Sequence, residues 1–261
     1  MRILFVGDVV GRPGRLALRE RLGRLIDIHY IDLVVANGEN AAAGFGLTAE
    51  VADELFDCGI DVLTSGNHIW DKKDIFHLLD SDERLLRPAN YPGDAPGRGA
   101  GIYRTAGGTR IGVINLEGRV FMNNLDCPFR TADRLVEKMR QTTPIILVDF
   151  HAEATSEKTA LGWHLAGRVS AVVGTHTHVQ TADERVLPPG TAYISDVGMT
   201  GSRDGVIGMR REQVIGKFFD QRPTRFEIAK NDPAINAVII EVDADSGRAL
   251  KIDRVLEPVN I

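Results

Sequence analysis

Three short apolar runs, each closed by glycine, asparagine or a carboxylate and each followed by a helical repeat, fill the N-terminal part of the chain. The first, residues 3–6, is continuously apolar, the mark of a strand buried on both faces. It ends in Gly7 and Asp8, and Gly11, Pro13 and Gly14 form a loop. Pro13 suits a first helical turn, and Leu16, Leu18, Leu22 and Leu25 follow at roughly helical spacing. The unit repeats at once. A strand over 31–36 runs into Asn37-Gly38-Glu39-Asn40, and Gly44-Phe45-Gly46 leads to a helix that Thr48 caps, with Val51, Leu55 and Phe56 on its inner face. A third strand, 60–63, runs into Thr64-Ser65-Gly66-Asn67-His68, with a short helix beginning near Asp71. Successive strand–helix units imply an α/β fold with parallel strands and right-handed crossovers.

After Asp80 the pattern changes. Residues 88–101 are rich in Pro, Gly and Asn, and apolar runs at 102–103 and 111–114 flank the turn Gly107-Gly108. That reads as a hairpin, so the sheet becomes mixed or a second sheet begins. Residues 117–130 form an irregular loop holding Phe121, Met122, Cys127 and Phe129: a flap over a site, a subunit contact, or a loop that tucks its own hydrophobes beneath itself. A helix over 132–140 precedes a strand at 145–148, which runs into Asp149-Phe150-His151-Ala152-Glu153. A helix over 156–165 then leads to a strand at 169–173 ending in Gly174-Thr175-His176-Thr177-His178. Residues 193–196 make another strand that breaks at Gly198. The tail strands 237–242 and 250–255, joined by Asp245-Ser246-Gly247, form an antiparallel hairpin expected to close the second sheet. No linker, repeat or low-complexity stretch divides the 261 residues, which are read as one domain, 1–261.

Hydrophobic content of 43% provides for an ample core, and the net charge of -5 argues against a general nucleic-acid or anionic-membrane binder. An anionic substrate stays open, because a local metal centre supplies positive charge. The 2 cysteines, Cys58 and Cys127, are too few for a disulfide framework or a thiolate zinc site and point to a reducing, cytoplasmic compartment. The opening apolar run breaks at Gly7-Asp8, too short for a signal peptide, and no run approaches a membrane span.

The chemistry sits where the strands end. In an extended backbone residues i and i+2 share a face, so His176 and His178 are placed to converge at the carboxyl edge where open α/β sheets bind ligands. Alone, that pair reads equally well as two hydrogen-bonded polar residues. Asp8, Glu39 with Asn40, Asn67 with His68, and His151 close four further strands. Any one of these is an ordinary turn residue; as a set they supply enough oxygen and nitrogen ligands for two metals. Two carboxylates and three imidazoles suit manganese, iron or zinc rather than calcium or copper(I). His29, His77 and His164 match no motif and read as surface or core residues. The loops after Asn40 and Gly198 are candidate phosphate cradles, although ordinary turns account for their glycines equally well.

Asp8, Gly66-Asn67-His68, His151 and Gly174-Thr175-His176-Thr177-His178 resemble, in order and context, the motif series of the calcineurin-like metallophosphoesterases. Asn37-Gly38-Glu39-Asn40, Gly118-Arg119-Val120-Phe121-Met122 and the run from Gly174 to Thr181 look like the YmdB-type branch of that superfamily, and the resemblance extends from residue 3 to about 255. It implies a four-layer α/β/β/α sandwich of two mixed sheets with a two-metal centre along one edge. By that resemblance, Asp8, Glu39, Asn40 and His178 hold one metal, and Asn67, His151 and His176 hold the other, with Glu39 bridging. The superfamily's Asp-x-His is here Asp8-Val9-Val10, with Asn40 in place of the missing histidine, and its bridging aspartate is Glu39.

The implied activity is hydrolysis of small phosphodiesters, 2′,3′-cyclic nucleotides to 3′-nucleotides, with RNA ends as further candidate substrates. The implied cofactors are two divalent or mixed-valence ions, iron or manganese before zinc. Two such cations, roughly 3.5–4 Å apart, lower the pKa of a shared water and neutralise the phosphoryl oxygens. His68 is the candidate general acid, or else a residue that only orients a ligand. A phosphomonoesterase or protein phosphatase on the same centre is one rival. A regulatory, RNA-associated protein with a non-catalytic metal site is another. Self-association into a homo-oligomer is expected, and no membrane contact.

Overall fold

A computed structural model describes residues 1–260. The N-terminal units are β1 (Arg2–Val6), β2 (Asp8–Val9) and α1 (Gly11–His29), then β3 (Leu33–Asn37) and α2 (Ala49–Asp57), then β4 (Val62–Thr64), a 3-10 turn at Asn67–Trp70 and α3 (Ile75–Ser81). The hairpin β5 (Ala100–Arg104) and β6 (Arg110–Glu117) follows, then α4 (Pro128–Arg140), β7 (Ile146–His151), α5 (Thr155–Leu165) and β8 (Ala171–Thr175). The chain finishes with β9 (Arg185–Leu187), β10 (Thr191–Ile194), β11 (Met199–Ser202), α6 (Arg211–Asp220), β12 (Pro233–Val242) and β13 (Ala249–Pro258). Thr48 caps α2 as its position suggests, its hydroxyl accepting from the Val51 amide.

In the first sheet β1, β3 and β4 lie parallel, with Ile3 opposite Leu33 and Val35 opposite Val62. Antiparallel β12 runs along the other side of β1 and also pairs β11 and β13, while β11 takes β2 in parallel. The tail hairpin therefore completes the first sheet, not the second as its sequence suggested. The reason is readable afterwards: β12 is apolar at successive positions from Ala237 to Ile240 and buried on both faces, as a central strand must be, whereas β13 alternates. The second sheet begins at the β5–β6 hairpin. It continues through parallel β6, β7, β8 and β10 and ends on antiparallel β9.

Alternation along the strands sets the layers. Ile3, Phe5, Leu33 and Val35 of the first sheet face Val113, Leu147, Val173 and Ile194 of the second in one central core. Leu4, Val6 and Val34 face the other way onto Leu18, Leu22 and Leu55 of α1 and α2. Ile114, Val148 and Phe150 pack outward on Val136 of α4 and Leu161 of α5. The order is α/β/β/α, a four-layer sandwich of two mixed sheets. Strand ends β3, β4, β7 and β8 meet across the central layer, where the Asn37 amide donates to Asp149 Oδ2 at 3.0 Å. Among the described residues no helix is long and apolar enough to cross a membrane.

Candidate metal centre

At that edge His151, the last residue of β7, is fully buried. Its Nε2 lies 3.1 Å from Glu39 Oε1 and 3.0 Å from His176 Nδ1. Glu39, His151 and His176 each offer a donor atom within 4.8 Å of the others. Asp8 joins through both oxygens, Oδ1 standing 3.7 Å from His151 Nδ1 and Oδ2 accepting the His176 amide at 3.1 Å. The Asn40 amide nitrogen donates to Glu39 Oε1 at 2.9 Å and stands 3.2 Å from His178 Nε2; a half-turn of that amide exchanges nitrogen for oxygen. Asn67 lines a hollow of about 350 Å³ with His176. His68 donates its backbone N–H to Glu39 Oε2 at 3.2 Å and shares a cavity of about 320 Å³ with Glu39, His176 and His178. All eight strand-end residues therefore gather in one neighbourhood, while His29, His77 and His164 take no part.

The route to that convergence differs from the expected one. Strand β8 stops at Thr175, and His176 and His178 occupy left-handed backbone at φ 97° and 66°, so strand alternation does not aim the two rings. Tertiary bonds hold the loop instead. Buried Asp196 accepts the Thr177 amide at 3.1 Å and its hydroxyl at 2.6 Å, and the buried Lys158 ammonium secures Asp196 at 2.7 Å. Gly66 is required for space: a Cβ there would lie 2.2 Å from His151 Cδ2 and 2.3 Å from Glu39 Oε2. The suggested phosphate cradles are spent internally. The Ala41, Ala42, Gly44 and Phe45 amides bond within their own loop, and the Gly198 amide bonds to Asp196.

Electrostatics tests whether a cation belongs here. Thr175 donates its hydroxyl to Asp149 Oδ1 at 2.8 Å, so its oxygen is free to accept from His151 Nδ1 at 2.9 Å. That relay fixes the tautomer that leaves the Nε2 lone pair facing Glu39 and His176. Three acceptors then converge, which a buried site tolerates only with a proton or a cation between them. The protein alone answers with a proton. Burial opposes the His151 charge, but Glu39, then Asp8 and Asp149, raise its pKa to about 9. Burial and then the His151 charge push His176 down to about 3, and Glu39, despite its burial, is drawn down to about 2 by His151 and His68. Burial dominates at Asp149, raised to about 7, and at Asp8, which is also raised. Asp8 Oδ1 and Asn67 Oδ1 are buried oxygens with no hydrogen-bond partner. A cluster of aimed acceptors with two orphaned oxygens fits a divalent cation.

Several further residues complete the cluster. Asp71 holds His68 Nδ1 at 2.9 Å, and Glu153 reaches His176 Nε2 at 3.1 Å. Asp149 precedes His151 by two residues on a strand and so shares its face, a signal that was available. Asp196, a carboxylate closing the expected strand 193–196, carried the strand-end signal too; Lys158 carried none.

Two facing mixed sheets, helices on both outer faces and a carboxylate–imidazole cluster at the strand ends define the metallophosphoesterase fold. A phosphatase from Mycoplasma pneumoniae superposes with a TM-score of 0.92 at 33% identity over 99% of this chain and 93% of that one. A hypothetical protein from Thermus thermophilus superposes with a TM-score of 0.93 at 42% identity over 99% of both chains. The YmdB-like profile matches residues 4–255, and the chain belongs to that family. It is 52% identical over 256 residues to the 2′,3′-cyclic-nucleotide 2′-phosphodiesterase of Bacillus subtilis (strain 168), covering 98% of this chain and 97% of that protein.

Proposed function

We propose that this protein is a metal-dependent phosphodiesterase that opens 2′,3′-cyclic nucleotides to 3′-nucleotides. The observation that carries the reading is the convergence of Glu39 Oε1, His151 Nε2 and His176 Nδ1 on one point, supported by the name of the Bacillus subtilis relative. Glu39, Asn67, His151 and His176 would hold one cation, and Asp8, Glu39, Asn40 and His178 a second. Iron or manganese fits this oxygen and nitrogen donor set best, with zinc next. Bound cations would supply Lewis acidity, neutralising the phosphoryl oxygens and acidifying a water.

The chain's own residues do the rest. Asp71 fixes His68 through Nδ1, which leaves Nε2 to carry a proton to the departing 2′ oxygen as the P–O2′ bond breaks. Phe45 stands edge-on to the His68 ring, 5.2 Å between centroids, and limits its swing. Phe45, Met209 and Phe226 give the cavity an apolar wall that takes the uncharged part of a nucleotide. The free thiols Cys58 and Cys127 suit a reducing compartment such as the cytoplasm.

Purified protein assayed in parallel with a 2′,3′-cyclic nucleotide, a 3′-nucleotide and a phosphopeptide tests the reading. Selective turnover of the cyclic diester with release of the 3′-nucleotide is expected; preference for either monoester rejects it.

A further inference from the structure

One hollow lies away from the metal centre, a partly open volume of about 780 Å³ beside the first turn of α1. Its floor is apolar, built from Pro13, Leu16, Ala42, Val51 and Ile228. Its rim carries Arg12, Lys72 and Lys230, none of which has a carboxylate within ion-pair distance among the described residues. The other charged lining groups are already matched, Arg15 to Glu54 and Asp232 to Arg203. The α1 terminus adds to the positive field: no side chain caps it, and no acid lies in its first turn. On a chain of net charge -5, three unmatched cations around one hollow are a local inversion of sign.

We propose that this cavity is a second binding site, for a nucleoside phosphate. The Arg12, Lys72 and Lys230 cations take the phosphate, and the apolar floor takes the base. A bare phosphate has no use for the floor, and an uncharged apolar ligand none for the rim. Thr48 and Asn231 border the cavity and supply polar groups for a base edge.

The site is joined to the metal centre by one loop. The Asn40 carbonyl accepts the Gly11 amide at 2.9 Å and the Gly44 amide at 3.1 Å, and Arg15 holds the Ala41 carbonyl at 2.7 Å. Gly44 is wedged between Ile228, which lines this cavity, and Met209, which lines the one at the metal centre. A ligand bound here bears on the segment that presents Asn40 and Phe45 to the chemistry. The assignment does not depend on the hydrolytic reading, because its ligand is recognised by charge and apolar surface alone.

Photolabelling of the full-length protein with 8-azidoadenosine 5′-monophosphate, followed by peptide mapping, tests it. Label is expected in the peptides of residues 12–16 or 228–233, suppressed by adenosine 5′-monophosphate and reduced about tenfold in Arg12→Glu/Lys230→Glu. That pair leaves the fold intact, since a carboxylate in a first helical turn is favoured and Lys230 is exposed. Unchanged melting and unchanged hydrolysis of bis-p-nitrophenyl phosphate confirm as much. Label confined to peptides around residues 151–178, label that survives both charge reversals, or suppression by orthophosphate as strong as by the nucleotide overturns the assignment.

Discussion

His68 and His151 are two imidazoles of one neighbourhood held by different partners. His151 is fully buried, with Nδ1 held by Thr175 and Nε2 turned to Glu39, and is the proposed cation ligand. His68 is partly exposed, with Nδ1 held by Asp71, and is the proposed proton donor. His68→Ala should therefore lower kcat by roughly 10²–10⁴-fold with metal content retained, read by steady-state kinetics beside plasma mass spectrometry. Loss of metal in that variant would make His68 a ligand. The pH response of metal-stripped protein follows from His151. Its pKa rises on folding from 6.5 to about 9, so its contribution to stability is complete below pH 6.5 and is lost as pH climbs through 9. The melting temperature of stripped protein should fall by roughly 5 °C over that window, and that of metal-loaded protein should stay level, because a cation then replaces the proton. A level profile for the stripped protein would contradict the charge state assigned to His151. All eight strand-end residues were legible because strand termini are marked by the end of an apolar run. Asp71 and Lys158 were not, since what selects them is a partner or a loop geometry that no local pattern encodes.

At the scale of elements, the strands were easier to place than the connections. The strands of the three N-terminal units and the β5–β6 hairpin stand where their periodicity puts them, but Gly11, Pro13 and Gly14, expected as a loop, form the first turn of α1, and the helix expected near Asp71 begins at Ile75 after a 3-10 turn. The tail hairpin does not, because pattern reveals that a strand is buried without revealing which sheet buries it. The segment 117–130, expected as one loop, is loop only to Cys127, because Pro128, Phe129 and Arg130 open α4. Met122 and Phe129 pack on the outer core of the second sheet, while Phe121 is 90% exposed and, with Met122 and Asn123, borders the hollow at Asn67 and His176. That position supports a flap beside the site. Phe121→Ala should raise KM several-fold, to the order expected for one lost apolar contact, with the melting temperature unchanged. A shift in sedimentation with unaltered kinetics would make this residue a subunit contact.

Across the whole molecule, the central core draws on both sheets at once, so neither sheet can be exposed alone without stripping the inner face of the other. We propose that the chain unfolds as one unit. Calorimetry should show a single transition that moves to higher temperature with saturating divalent metal; two separated transitions would divide the sheets into independent domains. The same facing arrangement brings Asp8 and Glu39 from one sheet to His151 and His176 from the other, so the proposed centre exists only in the assembled sandwich. The most direct test is the metal-to-chain ratio of active protein by plasma mass spectrometry, measured in parallel for Glu39→Gln. Two ions per chain in the native protein, with metal and turnover of a 2′,3′-cyclic nucleotide falling together in the variant, is the predicted result. Full turnover in native protein that carries no metal would contradict it.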